Sequence, residues 1–178
     1  STFQVLEALQ KSGADLVEIG MPFSDPLADG PTIQASSLQA IKNGFTLRHM
    51  FSQLRDMRSH INIPVILMGY LNPVLQFGLN EFCKACHNIG IDGLILPDLP
   101  MNEYLEHYKP LFDQYGLYNI FLISPQTSEE RIRTIDNNSK GFIYMVSSAA
   151  VTGGQKEISE GQRQYFSRIK SMNMHNPR

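Results

Sequence analysis

The stretch "ADLVEIGMPFSDPLADGP" (residues 14–31) joins a short apolar strand, a polar loop and the start of a helix. Glu18 lies inside the apolar run "LVEIG", where every neighbouring side chain favours burial. Pro31 suits the first turn of the following helix, because that turn does not need its missing N–H. A buried strand that passes through an acidic loop into a helix is typical of an α/β protein.

Four later apolar runs repeat this unit: "IPVILM" (63–68), "DGLILPD" (92–98), "YNIFLI" (118–123) and "GFIYMV" (141–146). Continuous runs of this kind are typical of strands that are buried on both faces in a parallel sheet. Residues with helical spacing separate them, so the pattern predicts five strands, each followed by helix.

Several residues mark helix ends. Thr46 is predicted to cap one helix, and Thr127 with Glu130 forms a capping-box pair at the start of another. Tyr165 and its apolar successors predict a last helix that continues to the end of the chain.

Two architectures fit five such units: an open doubly wound sheet and a (βα)8 TIM barrel. No G-x-G-x-x-G motif follows a strand, which disfavours a dinucleotide-binding sheet. Glu18, Asp98 and Ser147 fall at the carboxyl ends of predicted strands, where a barrel places its active site. Because a closed barrel typically needs ~250 residues and eight strands, we expect an incomplete TIM barrel of about five parallel strands. Residues 1–178 would form a single domain, truncated at both ends.

Composition excludes several classes of protein. The 178 residues are 42% hydrophobic, and 15 Lys and Arg balance 17 Asp and Glu, so a nucleic-acid binder is not expected. No apolar run approaches the ~18 residues of a membrane span. Two cysteines are too few for a disulfide scaffold, which favours the cytoplasm.

Those cysteines lie in "CKACH" (83–87), which matches a haem-attachment motif and half of a zinc site. Zinc needs four ligands, and the sequence offers no second pair. Phe82, Cys83 and Cys86 share one predicted helix face, so we interpret the cysteines as packing residues and expect no metal.

The quoted stretch, extended to "ADLVEIGMPFSDPLADGPTIQ", resembles the signature of the tryptophan synthase alpha subunit family. The likeness continues through "ILMGYLNPV", "GIDGLILPDLP", "FLISPQTSEERI" and "GFIYMVSSAAVTG", from Ser1 to about Gly154. It implies a lyase that cleaves indole-3-glycerol phosphate to indole and glyceraldehyde 3-phosphate in tryptophan biosynthesis. Two residues depart from the common pattern: Ala150 replaces a frequent glycine, and Ser148 stands where some members carry a basic residue.

The resemblance implies three catalytic residues. Glu18 would exchange protons with the substrate, because its apolar neighbours favour the protonated carboxyl. Asp29 would accept a hydrogen bond from the indole N–H, and Tyr144 would assist Glu18 from inside the barrel. From the residues alone, other roles remain open: Glu18 paired with a cation at the core edge, Asp29 capping the next helix, and Tyr144 as a core residue.

The resemblance also implies a binding pocket and a partner. The substrate-binding residues would be Met68, Tyr70, Ile95, Leu122, Thr152 and Gly153. Pro22, Asp25 and Asn72 would face a beta subunit in an alpha2beta2 heterotetramer. The chain itself would need no cofactor, because pyridoxal phosphate belongs to the beta subunit.

Two alternatives remain open at this point. One is another phosphate-binding TIM-barrel enzyme, such as a sugar-phosphate isomerase or aldolase, although no strand carries the lysine of a Schiff-base aldolase. The other is a non-catalytic scaffold that regulates a partner chain. For the 178 residues alone we expect little activity, because an unclosed sheet leaves strand edges unpaired.

Overall fold

The computed structural model describes residues 2–25, 29–147 and 158–178, in which helices pack on the outside of parallel strands. The strands are β1 (Val17–Gly20), β2 (Val65–Met68), β3 (Gly93–Ile95), β4 (Tyr118–Asn119), β5 (Leu122–Ile123) and β6 (Tyr144–Met145). The helices are α1 (Thr2–Lys11), α2 (Pro31–Lys42), α3 (Leu47–Gln53), α4 (Leu71–Phe77), α5 (Leu79–Ile89), α6 (Met101–Glu103), α7 (Lys109–Gln114), α8 (Glu129–Asn138) and α9 (Glu160–Ser171). A 3-10 turn (Met57–Ser59) and a π-helical turn (Tyr104–Tyr108) complete the set.

All strand pairs that the structure describes are parallel. One ladder has the order β1-β2-β3-β4, and a second joins β5 to β6. β4 and β5 are two pieces of the predicted run 118–123, so the two ladders are consecutive and five extended segments lie side by side. The five predicted strands and their parallel arrangement are therefore confirmed.

The sheet has two faces with different surroundings. Its outer face and the helices share one large apolar core, which includes Val17, Ile19 and Leu94. The inner face carries a smaller cluster, formed by Ile66, Ile95 and Ile120 with Met68, Leu122, Phe142 and Tyr144. Since side chains alternate along a strand, the expected inward direction of Met68, Ile95, Leu122 and Tyr144 is found.

Arg58 ties together the amino-terminal ends of β2 and β3. Its guanidinium donates to the carbonyl oxygens of Gly90 at 2.7 Å and Ile63 at 2.8 Å, and pairs with the Asp92 carboxylate. That carboxylate also accepts from Val65 N at 2.7 Å. We call Arg58 and its partners Gly90, Ile63 and Asp92 the Arg58 clamp. Gly90 has φ +79, and a Cβ there would lie 2.5 Å from Arg58 Cγ, so only glycine fits at this position.

Of the two predicted helix caps, one is confirmed and one is wrong. The Thr46 side chain accepts a hydrogen bond from His49 N at 3.1 Å, so the predicted cap at Thr46 is confirmed. The predicted capping box of Thr127 and Glu130 is wrong: Ser128 caps α8 through Arg131 N, one residue later. Thr127 is instead used in the preceding turn, where its Oγ1 accepts from Ser124 N at 2.9 Å.

The last helix also ends earlier than predicted. α9 stops at Ser171, and Asn173 adopts φ +49, which turns the chain back toward the sheet. The buried Asp136 carboxylate accepts from His175 N at 2.8 Å and from Asn176 N at 3.0 Å. Burial opposes ionisation of Asp136, but these donors outweigh it and lower the pKa of the carboxyl. Tertiary hydrogen bonds thus replace the last helical turn.

The cysteines pack as predicted. Cys83 and Cys86 are fully buried free thiols on α5, and burial raises the pKa of the Cys83 thiol to about 12. Across the described ranges, no cluster of His, Cys, Asp and Glu could hold a metal ion. The same ranges contain no helix with the length and apolar character needed to cross a membrane.

Candidate active site

Glu18 is the second residue of β1 and lies on the inner face of the sheet. The ladder places it beside Ile66 of β2, and places Gly20 beside Met68. Met68 in turn pairs with Ile95 of β3. Because paired residues of parallel strands point to the same face, the Glu18 carboxyl shares a face with the apolar inner cluster.

The surroundings of Glu18 favour its neutral form. The side chain is exposed along the open inner face, yet the protein around it removes enough water to raise the pKa of its carboxyl. No Lys or Arg pairs with it among the residues described. The paired-glutamate role left open by the sequence is therefore disfavoured, and a carboxyl that can hold a proton remains.

Asp29 is held between α2 and the end of β2. Its carbonyl oxygen accepts from Gln34 Nε2 at 2.8 Å, and its carboxylate accepts from the Tyr70 hydroxyl at 3.3 Å. The Tyr70 ring packs against Phe23, with ring centroids 5.3 Å apart. Gly30, not Asp29, occupies the N-cap position of α2, so the Asp29 side chain does not cap that helix.

A close approach of strand ends positions Tyr70. Met21 N donates to Met68 O at 2.7 Å, and Gly69 N donates to Ile95 O at 3.1 Å. A Cβ at Gly69 would lie 2.9 Å from Met21 Cβ, so a larger residue would push these segments apart. Gly69 therefore allows the chain after β2 to approach the loop after β1, which brings Tyr70 to Asp29.

Sequence reasoning missed two functional contacts. The role of Gln34 was not predicted, although this residue stands five positions after Asp29 in the quoted signature. Asp98 was expected at the active face, and its two carboxylate oxygens lie 2.9 and 3.0 Å from Leu71 N. Asp98 thus caps the start of α4 from the neighbouring strand end, a role that only the tertiary structure reveals.

Tyr144 lies on the same inner face, at the far end of the described sheet. It pairs with Leu122 in the β5-β6 ladder and packs with the inner cluster, whereas Ile143 belongs to the outer core. The structure thus places Glu18, Met68, Ile95, Leu122 and Tyr144 on one concave side of the sheet.

Comparison with known proteins identifies the family. A family model described as tryptophan synthase alpha chain matches residues 1–178. The chain belongs to the tryptophan synthase alpha chain family. The Flavobacterium johnsoniae alpha chain is 59% identical over 99% of this chain and 70% of the relative. The Flavobacterium psychrophilum alpha chain is 57% identical over the same shares.

Solved structures agree with the assignment. A tryptophan synthase complex from Pyrococcus furiosus has a TM-score of 0.84 at 35% identity, and the match covers 98% of this chain and 68% of that one. The alpha chain from Legionella pneumophila gives 0.84 at 34% identity, covering 99% and 63%. The predicted fold, an incomplete TIM barrel, is confirmed.

Family membership also confirms the predicted activity. The chain is a lyase of tryptophan biosynthesis, and its reaction is the cleavage of indole-3-glycerol phosphate. The two alternatives from the sequence, another sugar-phosphate barrel and a non-catalytic scaffold, find no support among these relatives.

The three predicted interface residues of this alpha chain lie in one groove. Pro22, Asp25 and Asn72 line a surface groove of about 600 Å³, together with Phe45 and Phe77. The groove lies next to the active face, because Phe23 belongs to it and also packs on Tyr70. The remaining predicted substrate residues, Thr152 and Gly153, lie outside the described residues.

Proposed function

We propose that Glu18 is the general acid and base of indole-3-glycerol phosphate cleavage in this chain. The reaction breaks the bond between indole C3 and the side chain: C3 gains a proton, the adjacent hydroxyl loses one, and an aldehyde forms. A single carboxyl can perform both transfers when it can both release and take up a proton during the reaction. The observation that carries the proposal is a partly desolvated Glu18 on the inner face of the sheet, with no Lys or Arg paired to it in the described part of the chain.

Asp29 is the second carboxylate of the proposal. Protonation of C3 makes the indole ring cationic, and an ionised carboxylate at the ring N–H stabilises that charge. We assign this role to Asp29, whose carboxylate accepts a hydrogen bond from the Tyr70 hydroxyl. Tyr144 is the residue we assign to assist Glu18, since both lie on the inner face.

The substrate pocket follows from the same face. Met68 and Leu122 supply an apolar surface for the indole ring, Ile95 lies fully buried beneath them, and Tyr70 borders this surface beside Asp29. Thr152 and Gly153 are assigned to the phosphate, which suits the backbone N–H groups of a glycine-containing loop.

The partner and cofactor assignments complete the proposal. We assign the groove around Pro22, Asp25 and Asn72 to a beta subunit, in an alpha2beta2 assembly in the cytoplasm. The Pyrococcus furiosus relative was solved as a tryptophan synthase complex, which supports a partner. Once C3 is protonated, the cationic indole ring itself takes up the electron pair of the broken bond and becomes neutral indole, so we assign no cofactor to the alpha chain. Pyridoxal phosphate is assigned to the beta subunit.

Indole release from indole-3-glycerol phosphate tests this function. We define the chimeric alpha chain as residues 1–178 placed in the Flavobacterium johnsoniae alpha chain, where they replace the matching 70%. The chimera is expected to release indole, with the parent relative as positive control. A folded chimera that releases none would contradict the proposal.

Residues 1–178, which we regard as one barrel domain, are expected to release little indole when they are assayed without the rest of the chimera. Their inner face is open to water, and water weakens the electrostatic stabilisation on which the reaction depends. Cleavage at the rate of the chimera would contradict this view.

A further inference from the structure

We propose that Gln34 and Tyr70 are positioning residues that hold the Asp29 carboxylate in its productive direction from two sides. The inference rests on the proposed role of Asp29 at the indole N–H. Neither residue needs to contact the reacting atoms, because each acts through Asp29.

Gln34 fixes the backbone on the carboxyl side of Asp29. Its Nε2 donates to Asp29 O at 2.8 Å, which sets the plane of the peptide group between Asp29 and Gly30. Gln34 is itself anchored in the first turn of α2, where its N–H donates to Gly30 O at 2.9 Å. Pro31 makes this turn rigid, since its ring fixes φ. The backbone of Asp29 is therefore held by the first turn of α2.

Tyr70 fixes the side chain of the same residue. Its hydroxyl lies 3.3 Å from Asp29 Oδ2, and its ring is held by Phe23. The backbone before it is held where Gly69 approaches Met21. A carboxylate has about four acceptor sites, so the Tyr70 hydroxyl leaves room for the indole N–H.

The two contacts reach Asp29 from different elements, one from α2 and one from the end of β2. A carboxylate that must meet a developing charge gains most when its direction is fixed beforehand, because no reorganisation is then needed during the reaction. If the Gln34 contact only supported the start of α2, its loss would change stability but not recognition of the indole N–H.

The test compares two unreactive analogues that differ in one atom. One is 3-(indol-3-yl)propyl phosphate, and the other is its benzofuran counterpart, which lacks the ring N–H. Binding to the chimeric alpha chain is expected to favour the indole analogue by about 10-fold or more, as for a charge-assisted hydrogen bond.

Gln34→Leu and Tyr70→Phe are each expected to reduce this preference to about 3-fold or less. Each should also lower kcat by about 10- to 100-fold, a magnitude typical of a misplaced group. Gln34→Glu keeps the size of the side chain and removes the Nε2 donor, so it replaces Gln34→Leu in the test if that variant folds poorly. Gln39→Leu is the matched control: Gln39 is exposed on the same helix, and its side chain bonds only to Asn43 in the described part.

Asp29→Asn separates failure of the inference from failure of the proposed function. If Asp29→Asn loses turnover and the analogue preference while the Gln34 and Tyr70 variants keep both, the positioning role is wrong and Asp29 retains its assignment. If Asp29→Asn itself keeps turnover and preference, the proposed role of Asp29 is wrong, and the inference with it.

Discussion

Glu18→Gln in the chimeric alpha chain is expected to lower kcat for indole release by about 10²–10⁴-fold, the contribution typical of a general acid or base. Glutamine has nearly the same shape but can neither deliver a proton to C3 nor accept one from the hydroxyl. Binding of 3-(indol-3-yl)propyl phosphate should stay within about 3-fold of wild type, since the loss concerns the reaction and not the ground state. Glu106→Gln, at an exposed glutamate, is the matched control. Normal turnover by Glu18→Gln would remove Glu18 from the mechanism.

The raised pKa of Glu18 also predicts how Glu18→Gln affects the stability of the fold at different pH values. The folded state raises the pKa of Glu18, so its contribution to stability is fully present below the unfolded pKa and is lost as pH rises through the folded pKa. Above that folded-state pKa, the wild-type protein therefore carries an ionised carboxyl that destabilises the folded state. Glu18→Gln should therefore lose activity without losing stability there, which separates a catalytic defect from a folding defect.

Arg58→Met is expected to lower the free energy of unfolding by about 2–4 kcal/mol. Its guanidinium serves three carbonyl oxygens, those of Gly90, Ile61 and Ile63, and pairs with the Asp92 carboxylate. Methionine fills similar volume but leaves these acceptors unpaired where water reaches them only in part. Urea unfolding, followed by circular dichroism, measures the change.

The position of Arg58 predicts which property changes. It lies at the amino-terminal ends of β2 and β3, and in a barrel this end serves stability while the opposite end carries the site. Indole release per folded chimera should therefore stay near wild type. Arg55→Met removes an exposed arginine from the same region and is expected to change stability by less than ~0.5 kcal/mol. If the Arg58 and Arg55 variants had equal free energies of unfolding, the Arg58 clamp would contribute nothing to stability.

The strands and their faces could be predicted from the sequence because both depend on local pattern. Continuous apolar runs mark each parallel strand. Alternation along "FIYMV" predicts that Tyr144 points into a barrel if Ile143 and Met145 point outward, and this arrangement is found. The segment 118–123 was predicted as one strand, and it forms two short ladders because its two halves pair with different neighbours.

The site contacts could not be predicted, because they join residues far apart in the chain. Asp98 caps α4 across 27 positions, and Tyr70 reaches Asp29 across 41. Gln34 is near Asp29 in sequence, yet its side chain would have been placed equally well in solvent. The failed capping box has a local cause: Thr127 and Ser128 are both good caps, and the turn at Ser124 uses the first of them.

Direct titration of the Glu18 carboxyl tests the central claim, which is that partial desolvation keeps this group able to hold a proton. The carboxyl ¹³C shift of glutamate-labelled chimera can be followed against pH, with Glu18→Gln used to assign the resonance. A pKa clearly above the ordinary glutamate value of ~4.3 is the predicted result. A Glu18 carboxyl that titrates at or below that value would contradict the account.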